Sequence, residues 1–211
     1  MKSVLIAIPC KPSMPDILQH RMMELVCKAV IDNSDFDIDV ALDIEHFEFT
    51  GREPYAYPQA TARNALLDKY LQPYHDLVMW IDADLVDYPS DIIIRLDAAN
   101  PGGVTAPMVL IENSQQFYDT YGYVQDGHHI NAFPPYLHPL GELVEMDAVG
   151  CAYLIPADVY RPGRYSTTPG HTEHYSICKI AKEMGLKIVC NTTITIYHAD
   201  LSKYGLQWHG H

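Results

Sequence analysis

From Ser3 to Pro9 the chain runs Ser-Val-Leu-Ile-Ala-Ile-Pro, an unbroken apolar stretch closed by proline. That pattern predicts a strand buried on both faces. Asp16 or Ser13 is placed to cap the next segment, where Ile17, Met22, Leu25, Val26 and Ala29 recur at helical spacing. Residues 36–44 alternate apolar and acidic positions, predicting a second strand. A helix is expected over 61–71, with Ala62, Ala65, Leu66 and Tyr70 on one side, and a buried strand over 77–81. Ser90 is placed to cap a short helix, 91–98, ended by Asn100-Pro101-Gly102-Gly103, before another strand over 104–111. Strand and helix alternate throughout this half, which predicts an α/β domain with a mostly parallel central sheet flanked by helices.

The stretch 112–145 has no clear period. It carries Tyr118, Tyr121, Tyr123 and Tyr136, the pair His128-His129, and Pro134-Pro135. Aperiodic segments of this length in compact domains are usually functional, and such tyrosines are suited to stacking on sugar or base rings. Regular pattern returns as a strand over 149–155 and a helix over 172–184 with Ile177, Ile180, Ala181 and Met184 inward, stopped at Gly185. Two strands, 187–190 and 193–197, close the pattern. No repeat, linker or low-complexity tract interrupts it.

Composition narrows the function. In 211 residues, 48% are apolar, and 14 Lys and Arg face 27 Asp and Glu, a formal charge of −13. That balance disfavours a nucleic-acid track and an anionic lipid surface as partners. It leaves open a small anion bridged to carboxylates by a divalent cation. Five scattered cysteines without a Cys-x-x-Cys pair predict neither a disulfide framework nor a zinc cluster. The apolar run at the start is shorter than a secretory core of roughly 7–15 residues. No stretch reaches the roughly 18 residues of a membrane span. A cytoplasmic protein is therefore expected.

Asp82-Ala83-Asp84 is the sharpest motif. It follows Leu77-Val78-Met79-Trp80-Ile81, so both acids emerge at the carboxyl end of a sheet strand, where open α/β folds bind ligands. Acids at i and i+2 there can share one hard cation, Mn²⁺ or Mg²⁺, that neutralises a diphosphate; the plainer alternative is an acidic turn. His198 follows a late strand, and its imidazole nitrogen would make a mixed site suited to Mn²⁺, or is simply a structural histidine. Arg63, at the start of a helix, can pair with phosphate or with one of the many acids. Glu173 opens another helix as a first-turn carboxylate or as a site residue. Phosphate-cradling Gly-x-x-x-x-Gly-Lys, dinucleotide Gly-x-Gly-x-x-Gly and nucleophile-elbow patterns are missing from the sequence.

Taken in order, Ala62-Arg63-Asn64-Ala65-Leu66-Leu67, Trp80-Ile81-Asp82-Ala83-Asp84 and Tyr88-Pro89 resemble the GT-A glycosyltransferases, above all the Anp1-like α-mannosyltransferase group. The likeness continues through Met146-Asp147-Ala148-Val149-Gly150-Cys151, Ala157 to Gly163, His171-Thr172-Glu173-His174, Lys179 to Gly185 and Tyr197-His198. Size and soluble character are also similar to the amino-terminal domain of a chlorovirus enzyme that builds capsid glycans.

The resemblance implies a single GT-A, Rossmann-like domain over 1–211, with its nucleotide-binding part at about 1–111 and its donor-sugar and acceptor part at about 112–211. It implies Pro9, Cys10, Lys11, Asp43 and Arg63 beside the nucleotide. Asp82 would reach the ribose or the metal, Asp84 would bind the metal and His198 would complete its coordination. Asp147 and Glu173 would line the donor-sugar and acceptor region, acting with Asp84 in catalysis. The group retains anomeric configuration. Against the group, this chain is expected to lack a membrane anchor, and it carries Gly150-Cys151 where Gly-Gly is usual.

The expected activity is therefore metal-dependent transfer of a hexose or deoxyhexose from a nucleotide diphosphate sugar, a UDP-sugar ahead of GDP-mannose, to a glycan or glycoprotein. Two rivals remain: a nucleotide-sugar or glycan-binding module without turnover, and a sugar nucleotidyltransferase. Against the latter, Pro9-Cys10-Lys11-Pro12 is a poor phosphate loop.

Overall fold

A computed structural model describes residues 1–10, 14–43, 57–134 and 142–204. Lys11, the alternative cap Ser13 and Tyr136 lie outside the described residues.

The first strand, β1 (Lys2–Pro9), buries every position from Ser3 to Ile8, as its apolar run requires. Helix α1 (Asp16–Asp32) has Pro15 at its N-cap with no side-chain cap bond, so Asp16 lies within the helix and does not cap it. Its inward stripe is Leu18, Met22, Leu25, Val26 and Ala29. Ile17 is exposed: the stripe starts one residue later, which preserves the i, i+4, i+7 spacing. Strand β2 (Phe36–Asp43) pairs in parallel with β1 and is half exposed because it forms the sheet's edge.

Helix α2 (Tyr57–Tyr70) begins earlier than the pattern predicts and turns Ala60, Arg63, Leu66 and Leu67 inward. The face is rotated relative to the alanine stripe because Arg63 is drawn to buried acids described below. Strand β3 (Leu77–Ile81) is wholly buried and parallel to β1. It is followed by β4 (Leu85–Asp87), α3 (Ile92–Ala99) and β5 (Val104–Ile111). Asp91 rather than Ser90 occupies the N-cap of α3, again without a side-chain cap.

The aperiodic stretch holds a small ribbon, β6 (Val124–Gln125) with β7 (His128–His129), and then β8 (Leu143–Glu145). Strand β9 (Ala152–Pro156) leads through a 3₁₀ turn to α4 (Glu173–Glu183). The inward face of α4 carries Glu173, His174, Ser176, Ile177, Cys178 and Ala181, whereas Met184 is 43% exposed. The two expected final strands are one, β10 (Ile188–His198), whose register slips between Asn191 and Thr195. Asn191 Oδ1 accepts bonds from the Thr193 amide and hydroxyl there, so a local side-chain turn replaces the break.

The main sheet has the order β2-β1-β3-β9-β5-β10-β4, with β8 also on β10. Parallel pairing joins β2, β1 and β3, and again β5 and β10. Strand β9 is inserted antiparallel between β3 and β5. Helices flank the sheet, and its apolar core runs from Val4 to Ile196. No helix among the described residues is long and apolar enough to cross a membrane.

Candidate active site

Three chain segments meet at the end of β3. Asp82 and Asp84 lie in the tight connection from β3 to β4, where the Leu85 amide donates to the Asp82 carbonyl at 3.2 Å. Pairing of β4 with β10 sets Leu85 opposite His198. The Ala199 amide donates to the Asp84 carbonyl at 2.9 Å, and His198 Nε2 stands 2.9 Å from Asp84 Oδ1. The other ring nitrogen, Nδ1, is 2.9 Å from the Ala199 carbonyl, an acceptor only, so Nδ1 carries the proton. Tyr118 stacks on the imidazole at 3.4 Å, fixing its plane. Burial alone would lower the His198 pKa, but the charge and hydrogen bond of Asp84, with smaller help from the Ala199 carbonyl and Asp82, raise it.

An oxygen and an imidazole nitrogen at hydrogen-bond separation, the histidine held from behind by a carbonyl, is the donor set a divalent transition metal takes. Asp82, the third expected ligand, is engaged elsewhere. Arg63 Nη2 donates to Asp82 Oδ1 at 2.8 Å, and Arg63 Nε donates to Glu173 Oε1 at 3.0 Å. Among the described residues, no three His, Cys, Asp or Glu side chains converge as a ready cation site. Asp84 and His198 thus fit a metal as two protein ligands, with Asp82 adjacent and tied to an arginine.

Arg63 is 4% exposed and lies over the faces of Trp80 and Tyr165, at 4.9 and 5.9 Å. His174 Nε2 lies 3.3 Å from Arg63 Nη2 and accepts from it, which leaves Nδ1–H for the Tyr153 hydroxyl at 3.2 Å. Burial and the Arg63 charge hold the His174 pKa well below the usual histidine value, so this ring is neutral. Beneath it Tyr153, Tyr165 and Tyr160 share hydrogen bonds, and Trp80 Nε1 donates to Tyr160 at 2.6 Å. Asn64, next to Arg63, holds a different segment. Its side-chain amide donates to the Tyr165 carbonyl and accepts from the Tyr165 amide, both at 2.9 Å. Adjacent residues of α2 therefore pin the acids and the tyrosine segment.

The remaining expected positions divide. Pro9 and Cys10 at the end of β1 lie beside Asp43 at the end of β2, where the Cys10 amide donates to the Asp43 carbonyl at 3.0 Å. Asp43 Oδ2 is 3.5 Å from Lys69 Nζ. Parallel pairing with Ala7 opposite Trp80 sets β1's end beside the aspartates that follow β3, and burial, with the charge of Asp84, raises the pKa of the Cys10 thiol. Asp147 is not brought to the Arg63 cluster. Its carboxylate pairs with Lys182 and accepts from the Gly127 amide, and despite partial burial these partners lower its pKa.

Sequence reasoning missed Asp119. Its Oδ1 accepts from the Gly122 amide at 2.7 Å, and its Oδ2 occupies the space where a side chain on Gly150 would stand, 2.1 Å from an ideal Cβ. Desolvation, opposed by the Gly122 bond and reinforced by the charges of Asp82 and Glu173, pushes its pKa up to about 7. Asp119 sits in the aperiodic stretch, where only its neighbours Tyr118 and Gly122 offered any signal. Cys151, at the expected departure, holds a left-handed φ of 60° and is buried, and its carbonyl accepts from the Asp82 amide at 3.2 Å.

Comparison with known proteins bears on the fold. Residues 56–133 match the Anp1 family model. The vanadate resistance protein of Candida albicans is 26% identical over 171 residues, covering 65% of this chain and 39% of that protein. The chain thus spans well under half the length of this relative. Among solved structures, a variant of Drosophila β-1,4-galactosyltransferase 7 in complex with manganese, UDP-Gal and xylobiose aligns with a TM-score of 0.56 at 9% identity. It covers 100% of this chain and 76% of that one. GalNAc-T7 with UDP, GalNAc and Mn²⁺ aligns with a TM-score of 0.53 at 13% identity, covering 94% of this chain and 43% of that one.

The fold is that of the GT-A glycosyltransferases. The stretch that matches the Anp1 model runs from α2 through β3, the aspartate pair and β5 into the loop carrying Asp119, and so includes Arg63, Asp82, Asp84 and Asp119, whereas Glu173, His174 and His198 lie beyond it. Both GT-A neighbours were crystallised with a divalent metal and a uridine nucleotide.

Proposed function

We propose that this chain is a metal-dependent GT-A glycosyltransferase that moves a hexose or deoxyhexose from a nucleotide diphosphate sugar to a glycan or glycoprotein acceptor. The observation that carries the reading is the 2.9 Å approach of His198 Nε2 to Asp84 Oδ1, with Nδ1 tied back to a carbonyl, at the sheet edge where α/β folds bind ligands. Mn²⁺ or Mg²⁺ held by Asp84 and His198, with Asp82 beside them, would neutralise the diphosphate and stabilise it as the leaving group.

In this reading Pro9, Cys10, Lys11 and Asp43 flank the nucleotide. Arg63, buried on Asp82 and Glu173, is a positioning residue rather than a direct phosphate ligand. Glu173 and Asp119 face the transferred sugar, and Asp147 lies towards the acceptor. A UDP-sugar is favoured as donor, in line with the uridine nucleotides of the two structural neighbours. Retention follows from the Anp1 likeness: the departing diphosphate oxygen takes the acceptor proton on the face it leaves, so no side-chain base is needed. The 211 residues form one catalytic unit, with residues up to about 111 serving the nucleotide and the rest serving the sugars. A cytoplasmic setting and a role in viral capsid glycosylation are part of the same proposal, on the likeness in size and soluble character to a chlorovirus enzyme that builds capsid glycans.

Sugar release from a panel of UDP-, GDP- and dTDP-sugars with Mn²⁺ tests the reading. Asp84→Ala is expected to reduce turnover by at least about a hundredfold, the scale at which an electrostatic stabiliser of the leaving group is lost. Wild-type rates in that variant would overturn the assignment, and donor binding without any turnover in the wild type would instead indicate a binding module.

A further inference from the structure

A second group of rings stands apart from the Asp84–His198 pair. Tyr121 is 52% exposed, and its ring centre lies 5.2 Å from that of His129 on β7, which is also exposed. His129 in turn is 5.5 Å from His171, and His171 stacks on Tyr175 at 3.9 Å with planes 10° apart. His129 Nε2 lies 3.3 Å from the Gly170 carbonyl, tying the small ribbon to the loop before α4. Two stretches distant in sequence, 121–129 and 171–175, thus lay four rings side by side. Tyr175 also packs against the buried core, and none of the four is bonded to Arg63 or its partners Asp82 and Glu173.

The position of this shelf matters more than its composition. Tyr175 also lines an open groove of about 290 Å³ with Asp147, Lys179, Lys182 and Glu183. At the shelf's other end, Tyr121 stands two loop residues from Asp119, whose Oδ2 fills the space beside Gly150 and His174 in the candidate site. The shelf therefore joins the rim of that site to a groove with both signs of charge. It lies with α4 and β7, whereas the expected nucleotide positions lie at the ends of β1 and β2. The exposed rings of Tyr121 and His129, backed by the half-buried His171–Tyr175 stack and set beside a polar groove, match a pyranose, which offers apolar C–H bonds from one face and hydroxyls around its rim.

We propose that Tyr121, His129, His171 and Tyr175 are the acceptor platform, on which a pyranose of the glycan acceptor stacks while the next sugar enters the groove lined by Asp147 and Lys182. This rests on the glycosyltransferase reading and adds to it the location of the acceptor. The ribbon and the loop before α4 thereby position the acceptor, while the ends of β1, β2 and β3 serve the donor.

The test uses the whole chain and methyl glycosides of glucose, galactose, mannose, N-acetylglucosamine, xylose, fucose and rhamnose. Saturation-transfer NMR on the wild type is expected to light the C–H protons of at least one glycoside. The double variant Tyr121→Ala, His129→Ala removes two exposed rings and is expected to weaken that binding about tenfold, the worth of one to two aromatic contacts. Replacing both by Phe keeps the ring faces and is expected to restore binding to within about twofold. Equal binding by the wild type and the Ala variant would overturn the platform, as would a wild type that binds no glycoside, or a Phe variant as weak as the Ala variant. Donor-sugar release measured in parallel reports on the underlying reading by itself: if the wild type releases none, that reading fails, while the glycoside spectra still decide whether the shelf binds sugar.

Discussion

Gly150 leaves no room for a methyl group. An ideal Cβ there would stand 2.1 Å from Asp119 Oδ2 and 2.9 Å from His174 Cδ2, and Asp119 cannot swing aside without giving up the Gly122 amide. Gly150→Ala is therefore expected to cost about 1–3 kcal/mol, the usual range for overpacking, read by urea denaturation. Unchanged stability would mean that Asp119 moves freely. Asp119 itself should show in the pH dependence of stability. The folded chain holds its proton up to about pH 7, against an ordinary value of 3.8, so it binds more protons than the unfolded chain between those values. Stability then falls as pH rises through that window, and the penalty is complete above it. In metal-free protein, Asp119→Asn should raise the melting temperature at pH 8 and leave it nearly unchanged below pH 4. A gain of the same size at both pH values would contradict the raised pKa.

At the scale of elements, α2 explains why some residues were legible in the sequence and others were not. Its pattern of alanines and leucines revealed a helix, but the alanine stripe pointed to the wrong face, because the arginine at position 63 is itself inward. A buried guanidinium is invisible to hydrophobic periodicity, since its partners Asp82 and Glu173 come from distant segments. The aspartate pair, by contrast, could be read because β3 is a wholly apolar run ending in a turn. The antiparallel insertion of β9 and the fusion of the last two strands were not legible, since pairing partners and register depend on the assembled sheet. Asp119 escaped for the same reason: its loop has no period, and its meaning comes from Gly150 across the site.

The arginine lock carries its own prediction. Removing one partner of a buried ion pair leaves an uncompensated charge and costs about 3–5 kcal/mol. Arg63→Met should lose that much in urea denaturation, and Arg63→Lys should recover only part of it, because an ammonium cannot span Asp82 and Glu173 in one plane as a guanidinium does. A loss below about 1 kcal/mol in Arg63→Met would show that Asp82 and Glu173 are solvated without it.

For the molecule as a whole, a charge of −13 opposes the approach of a nucleotide diphosphate. The geometry sharpens the conflict, because Arg63, the cation bonded to Asp82, is already neutralised by two carboxylates and shielded by Trp80 and Tyr165. A divalent cation on Asp84 and His198 would reverse the local sign where the diphosphate has to lie. Metal and nucleotide binding should then be strongly coupled, each improving the other's affinity by the same factor. The expected result is that UDP alone hardly moves the melting temperature, whereas UDP with Mn²⁺ moves it by more than the two separate shifts combined. At a hundredfold excess over Kd, ligand binding adds about 2.7 kcal/mol. For a domain of this size that is a rise of about 5–11 °C. Chelation with EDTA should abolish it, and His198→Ala should abolish the coupling while leaving the melting temperature sensitive to pH through Asp119. Additive shifts, or a full UDP effect in EDTA, would mean that the nucleotide is held by the protein's own groups. The acidic surface would then need a phosphate-binding cation other than the one assigned to Asp84 and His198.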